Sequence, residues 1–172
     1  MTDPDLSGYA ATASAPQDVL SRLEDLLGDD IEGSSLGGGE GRPRLLTVAL
    51  PRRRFLEGVD CLGEFDRPHF MCLSGEDRGM SVLLRYDFAL FRCAERGKRF
   101  HVTLEVSLPK GDLLMPSLQG RFPSAEYDER EVLEMLGPDF TGQSKRGRLF
   151  LPEGWEAVKP WRHEFEPSRS RQ

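Results

Sequence analysis

Two runs near the middle of the chain, SVLLRYDFALFRCAE (81–95) and KRFHVTLEVSLPKG (98–111), show alternation of apolar and polar side chains. In the first, Val82, Leu84 and Tyr86 share one side. In the second, Val102, Leu104 and Val106 oppose His101, Thr103 and Glu105. Strict alternation is the mark of a strand with one buried face. The stretch Glu95-Arg96-Gly97-Lys98 between them reads as a turn, so the runs are expected to pair as an antiparallel hairpin. A hairpin with one apolar face is at best marginally stable alone. The rest of the chain must supply more strands and a cover.

Candidates for both precede the hairpin. PQDVLSRLEDLLG reads as a first helix, with Val19, Leu20, Leu23, Leu26 and Leu27 at helical spacing and Gly28 as its stop. Residues 28–44, rich in Gly, Ser and acid, read as a flexible loop. Its GGGEG lacks the Gly-Lys-Ser/Thr ending of a phosphate loop. LLTVALP (45–51) is a strand candidate. PRRRFLEGVDCLGEF reads as a short helix with Phe55, Leu56, Val59 and Leu62 on one face. PHFMCLSGED adds a strand that turns at Ser74-Gly75-Glu76-Asp77. The expected fold is α+β: a small, mainly antiparallel sheet with helices packed on one face, plus an extended C-terminal arm. Residues 1–15 read as a disordered tail, 16–140 as the domain, and 141–172 as the arm.

Composition narrows the function. A net charge of -6 argues against non-specific nucleic-acid binding. No apolar run reaches the roughly 18 residues of a membrane span, and the start does not resemble a secretory signal. Cys61, Cys72 and Cys93 are widely spaced, and His69, His101 and His163 are scattered. Neither set has metal-ligand spacing, so no cofactor or metal is expected on this chain.

YDEREVLEMLGPDF (127–140) reads as the one clear late helix. Ser124 can cap its start, and Gly137-Pro138 ends it. At about 100° per residue, Ala125, Val132, Leu133, Met135 and Leu136 gather on one side, and Tyr127, Arg130, Glu131 and Glu134 on the other. Glu129 projects into the apolar stripe, which is costly for an unpaired carboxylate. Three readings are open: a helix edge in water, a structural ion pair with Arg148 or Arg162, or acid–base chemistry with Glu131 or Asp128. Adjacent helix positions point apart, which argues against the last.

The remainder is irregular and rich in Arg, Pro and aromatic residues. It carries both tryptophans, with Phe150, Leu151, Trp155, Trp161 and Phe165. Trp and Arg are enriched in interface hot spots, so the arm is expected to lie across another protein. Lys145, Arg146 and Arg148 form a short basic patch that reads as a solvated loop.

The late segment resembles the complex I 30-kDa subunit family. That family comprises the C-type subunit of NADH-quinone oxidoreductase and its counterparts in membrane-bound, energy-converting nickel–iron hydrogenases. The resemblance rests on Pro116-Ser117, Pro123, Ala125, Tyr127, Glu129-Arg130-Glu131, Glu134 and Met135-Leu136-Gly137, then Phe140 and Gly142. It continues through Arg148-Leu149-Phe150-Leu151-Pro152, Gly154-Trp155, Pro160-Trp161-Arg162 and Glu164-Phe165. The family's His-Pro after Phe-x-Gly is replaced here by Gln143-Ser144.

The resemblance implies a non-catalytic peripheral-arm subunit of a membrane-associated respiratory oxidoreductase, on the cytoplasmic side of the membrane. It implies contact with a large subunit, of quinone-site or nickel–iron hydrogenase type, and a small iron–sulfur subunit. The iron–sulfur clusters belong to those partners. The partner-facing residues are then Glu129, Arg130, Glu131, Arg148, Phe150, Trp155, Pro160, Trp161, Arg162 and Phe165. The alternatives are a stand-alone binding or assembly protein, or a carboxylate-dependent hydrolase using Glu129 and Glu131.

Overall fold

The computed structural model describes residues 15–39, 42–91, 99–144, 149–155 and 159–164. The tail 1–14, the turn at 95–98, Cys93, Lys145, Arg146, Arg148 and Phe165 lie outside them.

Pro16 opens α1 (Pro16–Leu27), where its missing N–H costs nothing, and the Asp18 carboxylate accepts the Ala15 N–H at 2.7 Å. Val19, Leu23 and Leu27 are buried, and the Gly28 N–H closes the last turn on the Glu24 carbonyl. The segment expected to be a flexible loop is instead largely a strand. β1 (Gly33–Gly39) pairs antiparallel with β2 (Arg42–Ala49), with Leu36 opposite Leu46. Its side chains give no strand signal, because the pairing is made by main-chain groups on the template of β2. Gly38 has φ +86°, and a Cβ there would sit 2.1 Å from the Pro43 carbonyl oxygen. The glycine therefore serves the register shift between Gly37 and Gly39, where β1 runs close against β2.

A single 3-10 turn (Arg52–Arg54) leads into α2 (Phe55–Leu62). Next come β3 (His69–Asp77), β4 (Ser81–Leu90) and β5 (Phe100–Pro109). The turn expected at Ser74–Asp77 falls later. Those residues continue β3 in register with β4, and the chain reverses at 78–80, where Gly79 has φ +80°. β4 and β5 pair antiparallel over ten residues, as the alternation requires.

The sheet order is β1-β2-β5-β4-β3, with β2 and β5 parallel and the other neighbours antiparallel. One face carries Leu46, Val48, Val82, Leu84, Tyr86, Phe88, Val102, Leu104 and Val106, all buried. The helices cover this face. Phe55 of α2 stacks at 4.3 Å from Tyr86, and Phe122 lies 5.6 Å from Phe88. The opposite face holds polar groups such as Arg85, which donates to Glu105 at 2.8 Å and to Glu76 at 2.9 Å.

After β5, two short strands, β6 (Leu114–Pro116) and β7 (Asp139–Thr141), pair in parallel and flank α3 (Ala125–Met135). Ser124 makes no side-chain cap bond; the turn before it supplies the Phe122 carbonyl to the Ala125 N–H at 2.9 Å. Beyond β7, the described residues form turns and bends. Among the described residues, no helix is long and apolar enough to cross a membrane.

Candidate partner interface

α3 lies close on β3. A Cβ at Gly75 would meet Leu136 Cδ1 at 2.4 Å, and the Asp128 carboxylate accepts the Leu73 N–H at 2.8 Å. This placement brings Glu129 into the core. It is fully buried, so it is not at a solvated edge, and among the described residues it meets no cation in an ion pair; Arg148 lies outside them. Its carboxylate accepts the Ser117 hydroxyl at 2.7 Å, the Leu118 N–H at 2.6 Å and the Gln143 side-chain amide at 3.4 Å. Burial pushes its pKa up, against the Ser117 and Leu118 bonds that favour the charged form. Arg162 lies elsewhere, so the expected Glu129–Arg162 pair is not formed. Acid–base work shared with Glu131 has no geometric basis either, since Glu129 is sealed and Glu131 is partly open to solvent.

The carboxylate that does hold the arm is Glu134. Helical geometry puts it on the side opposite the apolar stripe, where the sequence alone suggests water. That side is covered, because the arm lies over it. Glu134 accepts the backbone N–H groups of Leu149, Phe150 and Leu151, the last two at 2.8 and 3.2 Å. Burial opposes its ionisation, but the three N–H groups and the nearby Arg130 outweigh burial and hold the carboxyl below its ordinary range. Three successive N–H groups on one carboxylate leave no trace in side-chain pattern. The one sequence signal for this residue is its match to the family motif. Arg130, largely covered, lies 3.6 Å from Glu126 one turn back.

The C-terminal end of α3 is the second attachment. A helix leaves its last carbonyls without partners and carries partial negative charge there. The arm supplies what is missing. Lys159 Nζ donates to Leu133 O at 2.9 Å, the Trp161 N–H to Met135 O at 3.2 Å, and Arg162 Nε to Leu136 O at 2.6 Å. Gly137 has φ +97°, and a Cβ there would lie 2.7 Å from Arg162 Nη2. Only glycine satisfies both the left-handed turn and the cation above it.

Asp77, at the end of β3, is the third attachment. It accepts the His163 N–H at 2.8 Å, the Gly79 N–H at 2.9 Å and Lys110 Nζ at 3.0 Å. Lys110 also bonds Glu164. Burial works against ionisation of Asp77, yet these donors prevail and lower its pKa from 3.8 to about 2. A carboxyl with a lowered pKa contributes stability above its unfolded value and loses it as pH falls through the folded value. The arm's end is therefore expected to loosen as pH drops from 3.8 toward about 2. Both tryptophans lie in the arm, so their fluorescence reports the change. Asp77→Asn should remove this acid dependence.

The arm thus folds back on its own domain through main-chain groups and long cations. Its rings do otherwise. Phe150 is 60% exposed, Trp155 40% and Trp161 46%. Trp161 also borders an open groove of about 540 Å³ with Gly75, Glu76, Arg78 and His163. Pro160 is half-buried beside it. The sequence leads one to expect an arm lying wholly across another protein. The structure divides the segment instead: the backbone is held by α3 and β3, and the rings face outward. Among the described residues, no group of three or more His, Cys, Asp or Glu is placed to hold a metal.

Comparison with known proteins agrees with this fold. Residues 48–171 match the model of the respiratory-chain NADH dehydrogenase 30 Kd subunit. The C/D subunit of NADH-quinone oxidoreductase from Ectopseudomonas mendocina is 32% identical over 161 residues, 90% of this chain and 26% of the relative. The protein of the same name from Erwinia tasmaniensis is 33% identical over 72% of this chain and 21% of its own length. The chain thus spans about a quarter of the length of these relatives. Among solved structures, a chain of the membrane-bound sulfane sulfur reductase, an archaeal respiratory membrane complex, superposes with TM-score 0.69. It is 19% identical, over 87% of this chain and 84% of that one. The trypsin-resistant fragment (1–134) of Nqo5 gives TM-score 0.56 at 24% identity, over 72% of this chain and 98% of that one. The family match runs from the end of β2 through the arm, including the Ser117–Glu129 contact and the Glu134 attachment, and the chain belongs to the respiratory-chain NADH dehydrogenase 30 kDa subunit family.

Proposed function

We propose that this chain is a non-catalytic peripheral-arm subunit of a complex I-like, membrane-associated respiratory oxidoreductase. It scaffolds the large subunit, of quinone-site or nickel–iron hydrogenase type, beside the small iron–sulfur subunit. The electron-carrying clusters sit on those partners, and the membrane is met through the complex, on its cytoplasmic side. One observation carries the reading. The described residues of the arm are hydrogen-bonded to their own domain, yet Phe150, Trp155 and Trp161 stay exposed. An anchored main chain presenting aromatic rings is pre-organised for a protein surface, which lowers the entropy lost on docking. The relatives bear the double designation C/D, and most of their length lies beyond the part this chain matches, which supports a large polypeptide as the neighbour.

The test is recovery of the chain at native expression level through an affinity tag. Co-purification of a large subunit and an iron–sulfur subunit is the expected result; a lone monomer refutes the proposal. Trp161→Ala is the informative variant. It keeps the backbone bond to Met135 and removes a half-exposed ring. It should cut recovery of the large subunit about tenfold or more, the scale of an interface hot spot of roughly 2 kcal/mol, while the Tm of the isolated chain stays within about 2 °C. Arg162→Ala cannot serve this purpose, because Arg162 closes α3 and its loss also weakens the fold.

A further inference from the structure

Glu129 is the most deeply buried titratable group of the run Asp128–Glu131. It is fully buried, and each of its hydrogen-bond partners, Ser117, Leu118 N–H and Gln143, is uncharged. The elements around it add no cation in ion-pair contact among the described residues. On α3, Asp128 is a like charge, while Arg130 lies beside Glu126. From β4, Tyr86 presents a buried hydroxyl that has no hydrogen-bond partner among the described residues and that feels the Glu129 charge. Among the described residues, the segments holding Ser117, Leu118 and Gln143 bring only neutral groups to it.

A sealed carboxylate without a cation is costly, and neutralisation removes most of that cost. The contacts are suited to both states. Ser117 is a hydroxyl, which donates to a carboxylate and accepts from a carboxylic acid by turning its own proton. Gln143 meets Glu129 through its amide nitrogen, which a second bond to the Glu126 carbonyl at 3.4 Å keeps turned that way, so protonation of the oxygen it meets weakens its bond. Gln143 stands just past β7, where the chain leaves for the arm, and its neighbour Ser144 is bonded to Gln119. We propose that Glu129 is a reversible proton-binding site whose occupancy sets the grip on Gln143 at the root of the arm. The proton comes from water and returns to it. On uptake, the Ser117 hydroxyl reverses from donor to acceptor, and the Gln143 amide loses its charged acceptor.

The test is side-chain carboxyl NMR of the full-length chain across pH, with Glu129 assigned by its absence in Glu129→Gln. The expected midpoint lies above the ordinary 4.5. Ser117→Ala, which removes a donor to the charged form, should move it higher still. Protection of the Gln143 side-chain amide, its exchange corrected for the pH dependence of the intrinsic rate, should be lower below the midpoint than above it. Should Glu129→Gln not fold, the resonance displaced by Ser117→Ala makes the assignment. A midpoint at or below 4.5 overturns the proposal. So does a Ser117→Ala midpoint that does not move, or a Gln143 amide indifferent to the titration.

Discussion

Replacing Glu134 with alanine is expected to free the first part of the arm from α3. Three backbone N–H groups lose one shared charged acceptor. Hydrogen bonds to charged groups contribute about 1.5–3 kcal/mol each, and bonds sharing one acceptor do not add fully. A net loss of about 3 kcal/mol in arm attachment follows, roughly a hundredfold rise in the detached fraction. Hydrogen exchange at the amides of Leu149, Phe150 and Leu151 should accelerate by about that factor, and the sheet amides should barely change. Glu134→Gln keeps one carbonyl acceptor and should fall between the two. If exchange at these amides is unchanged in Glu134→Ala, the carboxylate is not what holds the arm.

Gly75→Val is expected to disrupt the packing of α3 on β3 strongly. The Cβ alone would approach Leu136 Cδ1 to 2.4 Å. Leu136 is fully buried, with Val132 and Leu84 lining the same site, so its methyl has nowhere to move. Overpacking of this kind costs about 3 kcal/mol. For a chain of this size, Tm should fall by roughly 6–12 °C. Displacing α3 from β3 also shifts the Asp128–Leu73 bond and the carbonyls that Lys159, Trp161 and Arg162 use. The arm's tryptophan fluorescence should therefore change together with the melting curve. Gly75→Ala, shorter by two methyls, should show a smaller loss in the same direction.

The helices and the central hairpin are legible in the sequence because burial on one face imposes a period on the side chains. α1, α2, β4, β5 and α3 all follow that rule. β1 is not legible, since a strand of Gly and Ser paired at a sheet edge advertises nothing through its side chains. The end of β3 imitates a turn because Ser, Gly and Asp carry turn propensity, whereas Gly75 is there to admit Leu136. Glu129 stands out in the sequence as a carboxylate on an apolar stripe. Its partners do not, because a hydroxyl, a main-chain N–H and an amide carry no charge to search for. Glu134 and Asp77 are hidden for a related reason: each binds backbone donors of a distant segment, and backbone donors are the same at every position.

That indifference has a result for how such a subunit can change over time. The belt of residues after β7 is fastened largely through N–H groups that every amino acid but proline possesses, so its outward side chains can be exchanged without unfastening it. A lineage that acquires a different partner can re-letter this surface one ring at a time. Gly137, whose missing side chain leaves room for Arg162, is a place where such editing must stop.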